Sequence, residues 1–259
     1  MKREQPAQPL YEIVMQSIQN QIQTGVLQAN DKIPSEKDLG EIYSVGRNTV
    51  RRAISELVND GTLHTVPGVG TFVVDKRVDK TTEYLFGFSQ EMHLQNKKVT
   101  SRVLEAKLIP ADPVLSRRLQ IQLGAEVVFL YRIRIMDKEP IAIERAYLPH
   151  ELCPGILAYD FSTNSLYEIL ATVYNTRPDH AEQVIEASLA TREVSAMLGL
   201  TQPAVVFVFH RETRLATGQV IEYVDSELRS DRFRFFTSLK LFASPIEPAF
   251  RRLLLKTES

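Results

Sequence analysis

The stretch SVGRNTVRRAISELVNDG, residues 44–61, decides the architecture. Val50, Ala53, Ile54, Leu57 and Val58 recur at helical spacing on one face, and the polar NDG ends the run. At about 100° per residue, Asn48, Arg52, Ser55 and Asn59 project opposite that face, with Arg51 on the flank and Arg47 at the helix start. Working upstream, Ser35 stands where an N-cap belongs, Asp38 follows at capping-box distance, and Leu39, Ile42 and Tyr43 form the stripe of a short helix. Earlier still, Leu10, Ile13, Val14, Ile18 and Ile22 mark a helix that stops at Gly25. Downstream, LHTVPGVGTFVV reads as two β runs around a Pro-Gly-x-Gly turn. Three helices and a hairpin make residues 1–74 a winged helix-turn-helix.

Such a unit docks its third helix in the DNA major groove. Arg47 is placed for bidentate contact to guanine, Asn48 and Thr49 for adenine or the thymine methyl, and Arg51 and Arg52 for phosphates. The short helix opening at PSEK offers backbone NH groups and Lys37 to a phosphate. At the hairpin tip, Gly68 and Gly70 allow a close backbone approach to the minor groove. Residues 1–76 hold 8 Lys and Arg against 9 Asp and Glu, so the unit is not basic overall. Residues 44–55, however, carry three cations and no acid, which concentrates positive charge on the docking face.

The whole chain has 259 residues, 44% of them hydrophobic, enough for two folded domains. Its net charge of -1 argues against a general polyanion binder. No run reaches the roughly 18 apolar residues of a membrane span, and the N-terminus lacks the apolar stretch of a secretory signal. The single cysteine, Cys153, fits a reducing compartment, so a cytoplasmic protein is expected, with no membrane partner. DKRVDKTT, residues 75–82, is polar and without a stripe, and reads as a linker.

Beyond the linker, residues 83–259 read as an α+β domain. Its β runs are SRVLEAKLI, EVVFLYRIRIM, PIAIERAYL, EQVIEASLA, AVVFVFHRETRL and QVIEYVDSEL, with helices near 89–97, 113–119, 165–174 and 192–198. Short turns such as MDKEP and ATGQ imply mostly antiparallel pairing. The Arg134-Ile135 hairpin echoes the Arg214-Leu215 hairpin at an offset of 80, which would fit a duplicated half. In EVVFLYRIRIM, alternation sets Arg132 and Arg134 on the face opposite Val127, Phe129, Tyr131, Ile133 and Ile135. A three-residue DKE turn pairs Met136 with Pro140 and lays Arg132 opposite Glu144. Two readings fit that face: a cross-strand ion pair in water, or a pocket whose arginines hold a phosphate or carboxylate while Glu144 accepts hydroxyl hydrogen bonds. Asn164 and Ser165 open one helix, and Phe88 and Ser89 another, each offering amide or hydroxyl donors to an oxyanion. Glu222 alternates with Ile221 and Tyr223 and faces either a pocket or solvent.

The N-terminal run resembles the DNA-binding domain of the GntR family of bacterial transcription regulators. The resemblance rests on PLY, G-x-L, K-x-P-S-E-K-x-L, R-x-T-V-R-x-A, L-x-x-x-G and G-x-G-T-F in order over about 65 residues. It implies DNA contacts at Ser35, Lys37, Arg47, Asn48, Thr49, Arg51, Gly68 and Gly70. Gly46 departs from the Ser or Thr often found there, and offers no hydroxyl. GFSQEM, YRIRI…EPIAIERAYLP, NSLYEIL and VIEYVDSELRSDRFRF resemble the UTRA effector domain of the HutC subfamily over roughly 83–242, which implies a chorismate-lyase-like fold that binds ligands without catalysis. Matching positions imply ligand contacts at Phe88, Ser89, Arg132, Arg134, Glu144, Ser165, Tyr167 and Glu222. Leu228 replaces a frequent tyrosine and Asp225 a frequent basic residue.

The rival is a chorismate-lyase-like enzyme fused to a DNA-binding head, but no nucleophile with its base stands out. His150 and Cys153 of HELC are an isolated pair rather than a metal site. The expectation is therefore a homodimeric repressor without cofactor or metal, reading a pseudo-palindromic double-stranded operator and answering a small anionic effector such as a sugar phosphate or carboxylate.

Overall fold

The structure, a computed structural model, describes residues 8–239; the expected ends of the two domains, 1–7 and 240–259, lie outside the described residues. The chain divides between Arg77 and Val78 into two units. In the first, α1 (Leu10–Gln23), α2 (Glu36–Ile42) and α3 (Arg47–Asn59) precede an antiparallel hairpin of β1 (Leu63–Val66) and β2 (Gly70–Val73). Val14, Ile18, Leu39, Val50, Leu57 and Leu63 interlock as its core. The Ser35–Asp38 capping box forms in both directions and starts α2. Gly46 caps α3 without a side-chain hydrogen bond.

The second unit is built on a six-stranded antiparallel sheet. It contains β4 (Val99–Pro110), β5 (Glu126–Met136), β6 (Glu139–Pro149), β7 (His180–Leu189), β8 (Val205–Arg214) and β9 (Val220–Arg229). Spatial order is β4-β5-β6-β9-β8-β7. Helices α5 (Pro113–Leu119) and α7 (Arg192–Leu198) pack on one face through Leu115, Leu119, Val194 and Leu198. On the other face lie α4 (Phe88–Leu94) and α6 (Leu166–Thr172), whose Met92, Leu166, Ile169 and Leu170 join buried residues of the sheet.

Two expectations are corrected. The segment 75–82 is not all linker, because Val78–Thr81 forms β3 and pairs in parallel with β10 (Phe233–Phe236) inside the second unit. Val78 and Lys80 point inward and the lysine charge is matched by buried Glu91, so a polar sequence conceals a strand. The β5–β6 turn holds two residues, Asp137 and Lys138, both with positive φ, so Met136 pairs with Glu139 rather than with Pro140. An irregularity after Arg134 restores the register, and Arg132 lies opposite Glu144 as expected.

Candidate functional site

The arginine face of β5 is the buried one. Arg132 and Arg134 are each 2% exposed, because α4 and α6 cover the strands that carry them. The sequence shows an arginine-bearing face alternating with an apolar one, and only packing reveals that the charged face turns inward. Arg132 donates through Nη2 to Glu144. Arg134 Nη1 lies 3.9 Å from the same Glu144 oxygen, and its Nη2 donates to Ser89 Oγ at 2.6 Å. The Phe88 ring lies under the Arg134 guanidinium at 4.8 Å. Three buried donors, Nε and Nη1 of Arg132 and Nε of Arg134, have no hydrogen-bond partner among the described residues.

All eight residues expected to hold ligand line one cavity: Phe88, Ser89, Arg132, Arg134, Glu144, Ser165, Tyr167 and Glu222. Ser165 is the N-cap of α6, its hydroxyl accepting from the Glu168 amide, and Tyr167 sits on the first turn. Glu222 resolves inward and is 4% exposed. Its carboxylate accepts from Tyr167 at 2.7 Å and from Thr213 at 3.2 Å. The cavity is small, about 50 Å³. That is well short of the ~300 Å³ or more of a typical ligand pocket.

Its electrostatics divide into two ends. Burial opposes ionisation of Glu144, but the Arg132 and Arg134 guanidiniums overcome it and hold the carboxyl below its ordinary value. Burial, with Arg132 adding to it, pushes Arg134 down to about 9, so it remains charged at neutral pH. Glu222 goes the other way: burial raises it, the Tyr167 hydrogen bond opposes and the Glu144 charge adds to the rise. The site thus has a cationic end at Arg132, Arg134 and Ser89, and a hydroxyl-rich end at Glu222, Tyr167 and Thr213.

Two cations in the cavity wall were missed in the sequence. Lys80, inside the supposed linker, pairs with Glu91, and burial lowers it despite that partner. Arg211 on β8 donates through Nε to Gln183 at 2.8 Å. A signal for it existed: Arg211 follows the first residue of β8 by the same six positions that separate Arg132 from the first residue of β5. His150 and Cys153 serve structure, His150 contacting Glu126 and the Cys153 thiol lying buried and pushed up to about 12.

In the first unit, Arg47, Asn48, Arg51 and Arg52 are exposed on α3, with Thr49 half-buried beside them. Ser35 and Lys37 are exposed at the start of α2, and Gly68 at the hairpin tip has φ 74°. Gly70 has φ 149° with the Lys32 side chain over it. Arg52 stacks on Tyr11 at 3.9 Å. Arg51 Nε donates to Glu36 at 2.9 Å, and Arg47 Nε is 3.7 Å from the same oxygen.

Comparison with known proteins agrees with both halves. Residues 10–73 match the model of the bacterial regulatory proteins of the gntR family, and residues 94–234 match the UTRA domain. The chain is 32% identical over 228 residues to the HTH-type transcriptional repressor NagR of Bacillus subtilis, covering 88% of this chain and 93% of that protein. It is 31% identical to the mannosyl-D-glycerate transport/metabolism system repressor MngR of Escherichia coli, covering 88% and 94%. The crystal structure of PhnF from Mycobacterium smegmatis shares the fold, with a TM-score of 0.62 at 23% identity over 88% of this chain and all of that one. No helix among the described residues is long and apolar enough to cross a membrane. A helix-turn-helix head with its cationic third helix exposed, joined to a sheet domain with a buried polar cavity, is a regulator rather than an enzyme: the chain belongs to the GntR family, as a DNA-binding transcriptional repressor with a UTRA effector domain.

Proposed function

We propose that the effector is a small phosphorylated or carboxylated sugar, bound with its anion on Arg132, Arg134 and Ser89 and its hydroxyls on Glu144, Tyr167 and Glu222. The observation that supports this reading is the set of three buried guanidinium donor nitrogens without partners among the described residues, since such groups are costly unless a ligand or solvent satisfies them. Arg134 is the surplus cation, because Glu144 is committed first to Arg132. Phe88 and Ser165 complete the wall around the anion. A sugar phosphate needs several times the present ~50 Å³, so binding parts α4 and α6 from the sheet. That movement is the step by which the effector alters operator affinity.

In the first unit, Arg47, Asn48 and Thr49 read base edges. Ser35, Lys37, Arg51 and Arg52 contact phosphates, and Gly68 and Gly70 bring the hairpin to the minor groove. Two copies, paired as a homodimer, read the two halves of a pseudo-palindromic operator.

The test is calorimetric titration of the full chain with glucose 6-phosphate, N-acetylglucosamine 6-phosphate, gluconate and the parent sugars. Binding by an anionic sugar and not by its neutral parent, lost in Arg132→Ala/Arg134→Ala, is expected. The bound sugar should also change affinity for an operator duplex, with the reciprocal effect of DNA on the sugar. Neutral sugars binding as well as anionic ones would overturn the assignment.

A further inference from the structure

Glu36 is an acid in the middle of the surface that the reading above gives to DNA. It occupies the first position of α2, yet the cap of that helix is made by Ser35 and Asp38 and does not use it. Its Oε2 instead receives Arg51 Nε at 2.9 Å and lies 3.7 Å from Arg47 Nε. The two arginines stand one turn apart on α3, with side chains 59% and 69% exposed, so without an anion between them they repel each other. A carboxylate beside a phosphate-binding face weakens attraction to every duplex alike. What it supplies in return is geometry. Each guanidinium meets Glu36 at the Nε edge, and among the described residues no hydrogen bond takes up the Nη atoms of either, which leaves those atoms available for a base edge or phosphate.

We propose that Glu36 is a positioning residue for operator selection: it holds Arg47 and Arg51 in the conformation that fits the operator and penalises binding to other DNA. The proposal rests on the assignment of those arginines to DNA contact. At the operator both side chains keep Nε on Glu36 and bind through Nη, with their rotamer freedom already lost. On an unrelated duplex, which offers phosphates at other positions, an arginine has to leave the carboxylate to reach them, and the acid itself repels the backbone.

The experiment measures fluorescence anisotropy of the full-length protein at several salt concentrations. It uses two probes, a duplex enriched by the wild-type chain from a randomised pool and a scrambled duplex of the same composition. In Glu36→Gln, Kd for the enriched duplex should rise about tenfold as preorganisation is lost. Kd for the scrambled duplex should fall, with a log–log salt slope steeper by about one. Glu36→Ala gives the same two readings by a second substitution, and the Ser35–Asp38 cap is untouched in both. Movement of both duplexes in the same direction, or of neither, overturns the proposal. In an Arg51→Ala/Arg47→Ala background, Glu36→Gln should have no further effect on the enriched duplex, and a full effect there also overturns it. If the arginine substitutions alone leave the enriched duplex bound as in wild type, the DNA-contact assignment itself fails, which is a separate result.

Discussion

Replacing Glu144 by Gln should destabilise the effector domain far more than a charge-to-amide change on the surface. Arg132 and Arg134 are each 2% exposed and Glu144 touches both, so the substitution leaves two guanidiniums in the interior without their counter-ion. Removing one partner of a buried pair costs about 3–5 kcal/mol, because the remaining charge stays desolvated. For a domain of this size each kcal/mol moves the midpoint by roughly 2–4 °C, which gives a fall of about 6–20 °C. Glu227→Gln is the control. It breaks the pair of Glu227 with Arg145 at 2.7 Å, whose side chains are 20% and 26% exposed, and solvent should limit that loss to ~1 kcal/mol. Thermal unfolding followed by circular dichroism measures both. Inorganic phosphate supplies the missing anion and should raise the midpoint of Glu144→Gln more than that of wild type. A loss below about 1 kcal/mol, or no extra response to phosphate, would refute the claim that Glu144 is what keeps these arginines inside.

Other consequences follow from the same geometry. The Glu144 carboxyl is held below its ordinary 4.5 in the folded chain, so the stability it contributes is complete above that value and lost as pH falls through its lowered one. Acid unfolding of wild type should therefore show a slope below about pH 4.5 that Glu144→Gln lacks, measured by urea unfolding across pH. Glu222 has the opposite sign: its folded value is raised, so its ionisation opposes folding as pH climbs past 4.5. Glu222→Gln, which still accepts from Tyr167, should match wild type at pH 4 and exceed it in stability at pH 8 while weakening sugar binding. In the hairpin, Gly70→Ala should cost about 1–3 kcal/mol, since φ 149° disfavours any L side chain, while the Lys32 tail can move aside. Hydrogen exchange of the β1–β2 amides would register the loosening. Leu57→Ala empties a fully buried position of the first unit and should cost about 2–5 kcal/mol in chemical unfolding.

Most of the fold was legible because the amphipathic patterns are strong. EVVFLYRIRIM is β5 residue for residue, and 113–119 and 192–198 are α5 and α7 as expected. Composition hid β3, since an inward lysine in a polar run looks like a linker until Glu91 from another element is brought to it. The turn after β5 is one residue shorter than its sequence suggests, because left-handed Asp137 and Lys138 close a two-residue loop and the register change after Arg134 supplies the extra residue. Residue types sufficed to nominate Arg132, Arg134 and Glu144, whereas the closure of Glu36 on α3 is tertiary: it joins positions 15 residues apart across a turn.

The echo between the two hairpins has a structural counterpart that explains where the cavity lies. Strand, helix and two strands occur twice, and the starts Val99 and His180, Pro113 and Arg192, Glu126 and Val205, Glu139 and Val220 differ by 81, 79, 79 and 81 positions. The two halves meet where β6 pairs with β9, at the centre of the sheet. Equivalent strands therefore bring Arg132 and Arg211 to the two sides of one cavity at matching positions. Their neighbourhoods differ: Arg132 meets Glu144, while Arg211 is drawn outward to Gln183 and leaves Glu222 to Tyr167 and Thr213. A symmetric pair of half-sites would suit a symmetric ligand. Divergence at these few positions makes the cavity cationic at one end and hydroxyl-rich at the other, an asymmetry that fits the proposed effector in one orientation only.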